Sequence, residues 1–67
     1  MNMTEAKEAV SSLINKRNAM KWAVTTDQMI WVESNIMAPA GIQSSINTDF
    51  GEALCDWIED ELDSLIA

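Results

Sequence analysis

Apolar residues recur at helical spacing through most of this chain. Ala6, Ala9, Val10, Leu13, Ile14, Met20 and Val24 share one face when residues are placed about 100° apart. Thr4 precedes them as a candidate N-cap. Glu5 and Glu8 follow in the first turns, where the helix dipole favours carboxylates. The pattern predicts a first helix over residues 4–24. The polar run at residues 15–18 is the place where that helix would bend or end early.

Thr25 and Gln28 have capping-box spacing, with Thr26 as a competing cap, and open a second helix that runs to about Met37. Pro39 ends it, because the residue before a proline is pushed out of the α region. Met29, Val32 and Ile36 align in this segment, while Trp31 points away from them. A β-hairpin competes here. Trp22-Ala23-Val24 and Met29-Ile30-Trp31-Val32 are rich in strand-forming types around a Thr-Thr-Asp-Gln turn. We prefer the helix; the alternative is an α+β fold with a hairpin at residues 21–33 between two helices.

Ala38-Pro39-Ala40-Gly41 is a connection, and residues 42–46 then form a short helical turn or lie extended over the core. Asn47 or Thr48 caps a last helix whose apolar face is Phe50, Leu54, Trp57, Ile58, Leu62 and Leu65. The expected fold is therefore all-α: a single domain over residues 1–67 with a small three-helix arrangement, its third helix the longest or nearly so. A chain of 67 residues has room for one thin core.

The polar side of the last helix changes the picture. Asp49, Glu52, Asp56, Glu59, Asp60 and Asp63 line one stripe, and no Lys or Arg follows Lys21. Residues 1–21 carry a net +2 and residues 22–67 a net −9, which together make the chain's −7. That balance argues against direct binding to nucleic acid, which needs cations to displace counterions, and against an anionic membrane. It favours a basic partner. Two readings stand: the basic end of the first helix rests against the acidic last helix, within or between chains, or the acidic surface is left free. Carboxylates in the last turns also oppose the helix dipole and repel one another. Local sequence at odds with local physics points towards function; the bland alternative is solubility.

Two charges fall on apolar faces. Arg17 lies within the face of the first helix and Glu61 within that of the last, each twelve residues beyond its helix's first residue, taking Glu5 and Asp49 as those residues. In an up-down-up bundle this equal advance puts them at equal height, so Arg17 and Glu61 are expected to pair across the interface.

Chemistry is sparse. The chain has no His and no Tyr, so a nucleophile with a base partner is not expected, nor is an enzyme. Cys55 is the one cysteine, set among carboxylates that raise a thiol pKa, and is read as a packing residue. Gly41 and Gly51 make no phosphate loop, and the acids lack a calcium-loop pattern. No cofactor and no metal are expected. No apolar run approaches a membrane span and no signal-peptide pattern opens the chain, so the expected setting is a reducing cytoplasm.

Recognition remains. The expected partner-binding residues are Asp49, Glu52, Asp56, Glu59, Asp60 and Asp63, with Trp31 as an exposed anchor unless the second helix is covered on two sides. The partner would be a basic protein surface, such as that of a nucleic-acid-binding enzyme, and the chain an inhibitor imitating nucleic-acid charge. In size and charge alone it resembles small acidic proteins of phages and mobile elements, including anti-restriction and anti-CRISPR proteins. One helix gives one acidic row, whereas charge mimicry wants two; a dimer would provide them. The alternative function is structural: a helical homodimer or an assembly subunit, with Trp31, Ile30 and Met37 at the contact. A third reading, an antitoxin, makes the same demands on sequence as the first.

Overall fold

The computed structural model describes residues 1–43 and 47–67. It is all-α, with no strand among the described residues, so the hairpin alternative at residues 21–33 does not form. The elements are α1 (Met3–Ser11), α2 (Lys16–Trp22), α3 (Gln28–Val32) continued by a π-helical turn (Glu33–Met37), and α4 (Asp49–Ile66). The stretch expected as a turn or extended chain at residues 42–46 falls outside the described residues from Ser44 to Ile46.

The first predicted helix is divided in two, and asparagines divide it. Asn2, two residues before the expected cap Thr4, accepts the Glu5 N–H at 2.8 Å, and its amide donates to the Glu5 carboxylate at 3.2 Å. The Asn2 side chain thus caps the start of α1, and the Glu5 carboxylate holds the Asn2 amide in place. After Ser11 the chain leaves the helix. Asn15 is extended (φ −140°, ψ 172°), and its side chain accepts the Asn18 N–H at 3.0 Å to start α2. The Asn18 side chain in turn donates to the Leu13 carbonyl. Asparagine offers the backbone an alternative partner at each of these steps, and so ends one helix and begins the next.

The break resets the helical phase. Ala19 and Trp22 turn inward, while Arg17, Met20 and Val24 face solvent instead of the core face expected for a continuous helix. Asp27 occupies the position before α3 without a side-chain cap, so the expected Thr25 or Thr26 box is not made. Instead the Thr25 hydroxyl donates to the Lys21 carbonyl at 3.3 Å.

The π turn meets Pro39. The Ala38 N–H donates to the Glu33 carbonyl five residues back at 2.9 Å. Proline donates nothing and its ring needs room beside the preceding turn, which a widened turn provides. The wider register lets consecutive Ile36 and Met37 both reach the core, along with Val32. Helix ends at Met37 as expected, although Ala38 keeps αR geometry (φ −63°, ψ −46°). Gly41 then adopts φ +80°, and the Ile42 N–H reaches back to the Met37 carbonyl at 3.0 Å. This 6→1 bond with a left-handed glycine is a Schellman closure, and buried Ile42 supplies its apolar contact.

Thr48 caps α4 through the Gly51 N–H at 3.0 Å, with Asp49 and Glu52 in the favourable first turn. Leu54, Cys55, Ile58 and Leu62 form the buried stripe of α4. Against it pack Ala6 and Val10 of α1, Ala19 and Trp22 of α2, and Val32 of α3 with Ile36 and Met37 of the π turn.

Asn15→Ala is expected to cost about 1 kcal/mol through loss of the α2 cap. A urea-denaturation midpoint measures it, with the solvent-facing Lys16→Ala as a control that should hardly shift.

Candidate functional site

The outer face of α4 follows from the burial of its inner face. With Leu54, Ile58 and Leu62 turned to the core, helical geometry sends Asp49, Glu52, Asp56, Asp60 and Asp63 to water, and all five are exposed. Glu59 lies on the flank of the stripe and is half-buried. Its pKa is raised from the ordinary carboxylate range, first by burial and then by the charges of Asp56, Asp63 and Asp60. The stripe is therefore self-repelling at neutral pH, and among the described residues no ion pair relieves it. Lys7 sits with its ammonium 5.1 Å from the ring centre of Trp57, on a different flank of α4.

Arg17 and Glu61 do not form the expected buried pair. Both are exposed, no charged side chain is buried, and no ion pair joins them among the described residues. The break at residues 12–15 explains this: the equal-height argument assumed one unbroken helix from Glu5, and the restart at Lys16 turns Arg17 outward.

Asp63 has a second occupation. Its carboxylate accepts the indole N–H of Trp22 at 2.9 Å. Trp22 is only 2% exposed, and this bond satisfies its single polar atom. Trp22 also lies against Trp31, with ring centres 5.8 Å apart and planes at 52°. Trp31 is thus half-buried beside the core and not the freely projecting anchor the sequence suggested. Its neighbour Ile30 is exposed, whereas Met37, placed by sequence at a dimer contact, is fully buried and out of reach of a partner.

One acid was missed. Glu33, half-buried at the start of the π turn, raises the pKa of the Cys55 thiol together with Glu59 and Asp56. A carboxylate from a second element thus adds to the negative field around Cys55. Only the spacing within α4 was legible as a charge pattern, and nothing in sequence places Glu33 next to Cys55. The thiol itself is pushed up to about 11, mainly by burial, and its sulfur lies 3.5 Å from the Met37 sulfur. A neutral, buried thiol is a poor nucleophile and a poor ligand.

Among the described residues no group of three or more His, Cys, Asp or Glu side chains is disposed to hold a metal ion, and no helix is long and apolar enough to cross a membrane. An open groove lined by Met1, Gly41, Ile42, Gln43 and Phe50 contains none of the stripe's acids. No protein-family model, curated protein or solved structure matches this chain.

Two substitutions separate the structural from the electrostatic roles. Asp63→Ala leaves the Trp22 indole N–H unpaired and is expected to cost about 1–2 kcal/mol in urea denaturation, while Asp63→Asn, which keeps an acceptor, stays close to wild type. The fold disfavours the ionised form of Glu59 relative to the unfolded chain, so its charge costs stability at neutral pH. Glu59→Gln is expected to raise Tm at pH 7 only slightly, because Glu59 is half-buried and solvent screens the repulsion. The gain should vanish below about pH 4, where Glu59 is protonated folded and unfolded alike; thermal melts at the two pH values check it.

Proposed function

We propose that this is a small protein-binding module whose acidic α4 face docks on a basic surface of a partner, the partner's own nucleic-acid-binding surface being the best match. The observation that carries the reading is the exposed row of Asp49, Glu52, Asp56 and Asp60 on α4 with half-buried Glu59 on its flank, where burial and the charges of Asp56, Asp63 and Asp60 raise the Glu59 pKa. A partner's Lys or Arg side chains would relieve that repulsion on contact. Asp49, Glu52, Asp56, Glu59 and Asp60 are the contact residues in this reading, with Glu33 extending the surface on a second element. Asp63 serves chiefly to hold Trp22.

Magnitudes limit the mechanism. Each exposed ion pair contributes at most about 1 kcal/mol and is screened by salt. Five such contacts steer association and choose the partner more than they lock it in place. The protein would act as a competitor for nucleic acid, blocking a site without chemistry of its own. The buried, neutral Cys55 thiol is at home in a reducing cytoplasm, which is the setting we propose.

The test is capture from lysate at low and physiological salt, with wild-type bait and a bait carrying Asp56→Lys, Glu59→Lys and Asp60→Lys. Asp63 is left intact so that Trp22 keeps its acceptor. Nucleic-acid-binding proteins held by wild type alone and released by added duplex DNA or RNA are the expected result. Equal capture by both baits, or retention in the presence of excess nucleic acid, would remove the acidic face from the recognition role.

A further inference from the structure

The outer face of α2 is basic and apolar together. Lys16, Arg17, Met20, Lys21 and Val24 are all exposed. If the helical rotation is carried through Val24, they fall within an arc of about 140°. Three of the chain's four Lys and Arg residues are here. Between them stand two of its most exposed large apolar side chains, Met20 at 62% and Val24 at 83%. The inner face of the same helix, Ala19 and Trp22, is spent on the core.

A mixed basic and apolar helical face fits an acidic surface, and the chain carries one on α4. Helices α2 and α4 pack on each other, and Ala19, Trp22, Ile58 and Leu62 all belong to the core they share, so each helix turns its outer face to water. A molecule with a basic face on one side and an acidic face on the other suits a copy of itself. We propose that the α2 face of one copy docks on the acidic α4 face of the next, giving head-to-tail self-association. Such a contact is heterologous and leaves a free face at each end, so it extends beyond a dimer. Self-association also covers the surface proposed to bind a foreign partner, so the two compete.

The net charge of −7 opposes this at long range, and screening decides which term wins. At 0.15 M salt the Debye length is about 8 Å, well below the 18 Å of the molecule's shortest dimension. The acids of one copy's far side are then screened from the contact, and local complementarity governs. At about 0.01 M salt the screening length of about 30 Å lets the whole charges repel. At about 1 M the local pairs are themselves screened. Association is therefore strongest at intermediate salt. A nucleic acid or an anionic membrane fits the α2 face less well, because either would meet the full negative charge of the molecule on a basic patch of two helical turns.

The experiment is analytical ultracentrifugation of the full chain up to millimolar concentration at these three ionic strengths, with circular dichroism to confirm folding. Wild type should show a weight-average mass that rises with concentration and peaks at intermediate salt. The variant Lys16→Glu, Arg17→Glu, Lys21→Glu should associate roughly 10- to 100-fold more weakly. So should the variant Asp56→Lys, Glu59→Lys, Asp60→Lys. An equimolar mixture of the two should recover association, because each reversed face meets its reversed complement. A monomeric wild type at every salt, association that only grows with salt, or a mixture no better than its parts would overturn the proposal. Binding of wild type to vesicles of anionic lipid without self-association would do so in favour of a membrane surface.

Discussion

Three short elements and one long helix share a single apolar stripe, and nearly everything else in the molecule answers to it. Leu54, Cys55, Ile58 and Leu62 are wholly buried, and α1, α2 and α3 each pack on α4. A chain of 67 residues cannot support a second core. α1, α2 and α3 are therefore short, ended by side-chain caps, a proline or a left-handed glycine, and each contributes only a few apolar residues. The same constraint explains the outer face of α4. A helix with one side fully occupied has its other side fully in water, where carboxylates cost little individually and repel one another collectively.

Trp22 and Asp63 connect the two sides. Burying the indole would be costly with its N–H unsatisfied, and the acceptor comes from the edge of the acidic stripe at 2.9 Å. One carboxylate of the stripe is thereby part of the fold. A hydrogen-bond acceptor at that position has a structural reason that owes nothing to a partner, which separates Asp63 from Asp56, Glu59 and Asp60.

Much of this was legible in the sequence. Leu54, Ile58 and Leu62 of the α4 stripe, a cap at Asn47 or Thr48, the stop near Pro39 and the connection through Gly41 followed from spacing and turn chemistry, because each is set by a few local residues, whereas Leu65, expected on the apolar face, is exposed and Cys55 joins the stripe in its place. The break after Ser11 was foreseen only as a bend or an early end, placed at residues 15–18. Its cause lies in Asn15 and Asn18 donating to and accepting from a particular backbone, and propensity does not resolve which hydrogen bonds a polar side chain will choose. Everything computed from an unbroken phase failed with it: the inward positions of Met20 and Val24, and the pairing of Arg17 with Glu61. The π turn was equally invisible, since it depends on how the chain accommodates Pro39 against a buried Ile36-Met37 pair. On the candidate face, the α4 acids were read directly, whereas Glu33 needed the tertiary approach of the π turn to Cys55.

The burial of Cys55 has a consequence for how this small protein can be watched. Its thiol is solvent-inaccessible, protonated up to about pH 11 and seated against the Met37 sulfur in the middle of the shared stripe. No alkylating reagent reaches it without parting α4 from the π turn. A single native atom thus serves as an internal clock: the rate at which it is labelled counts how often the core opens, and a ligand on any face that slows the count has tightened the whole molecule.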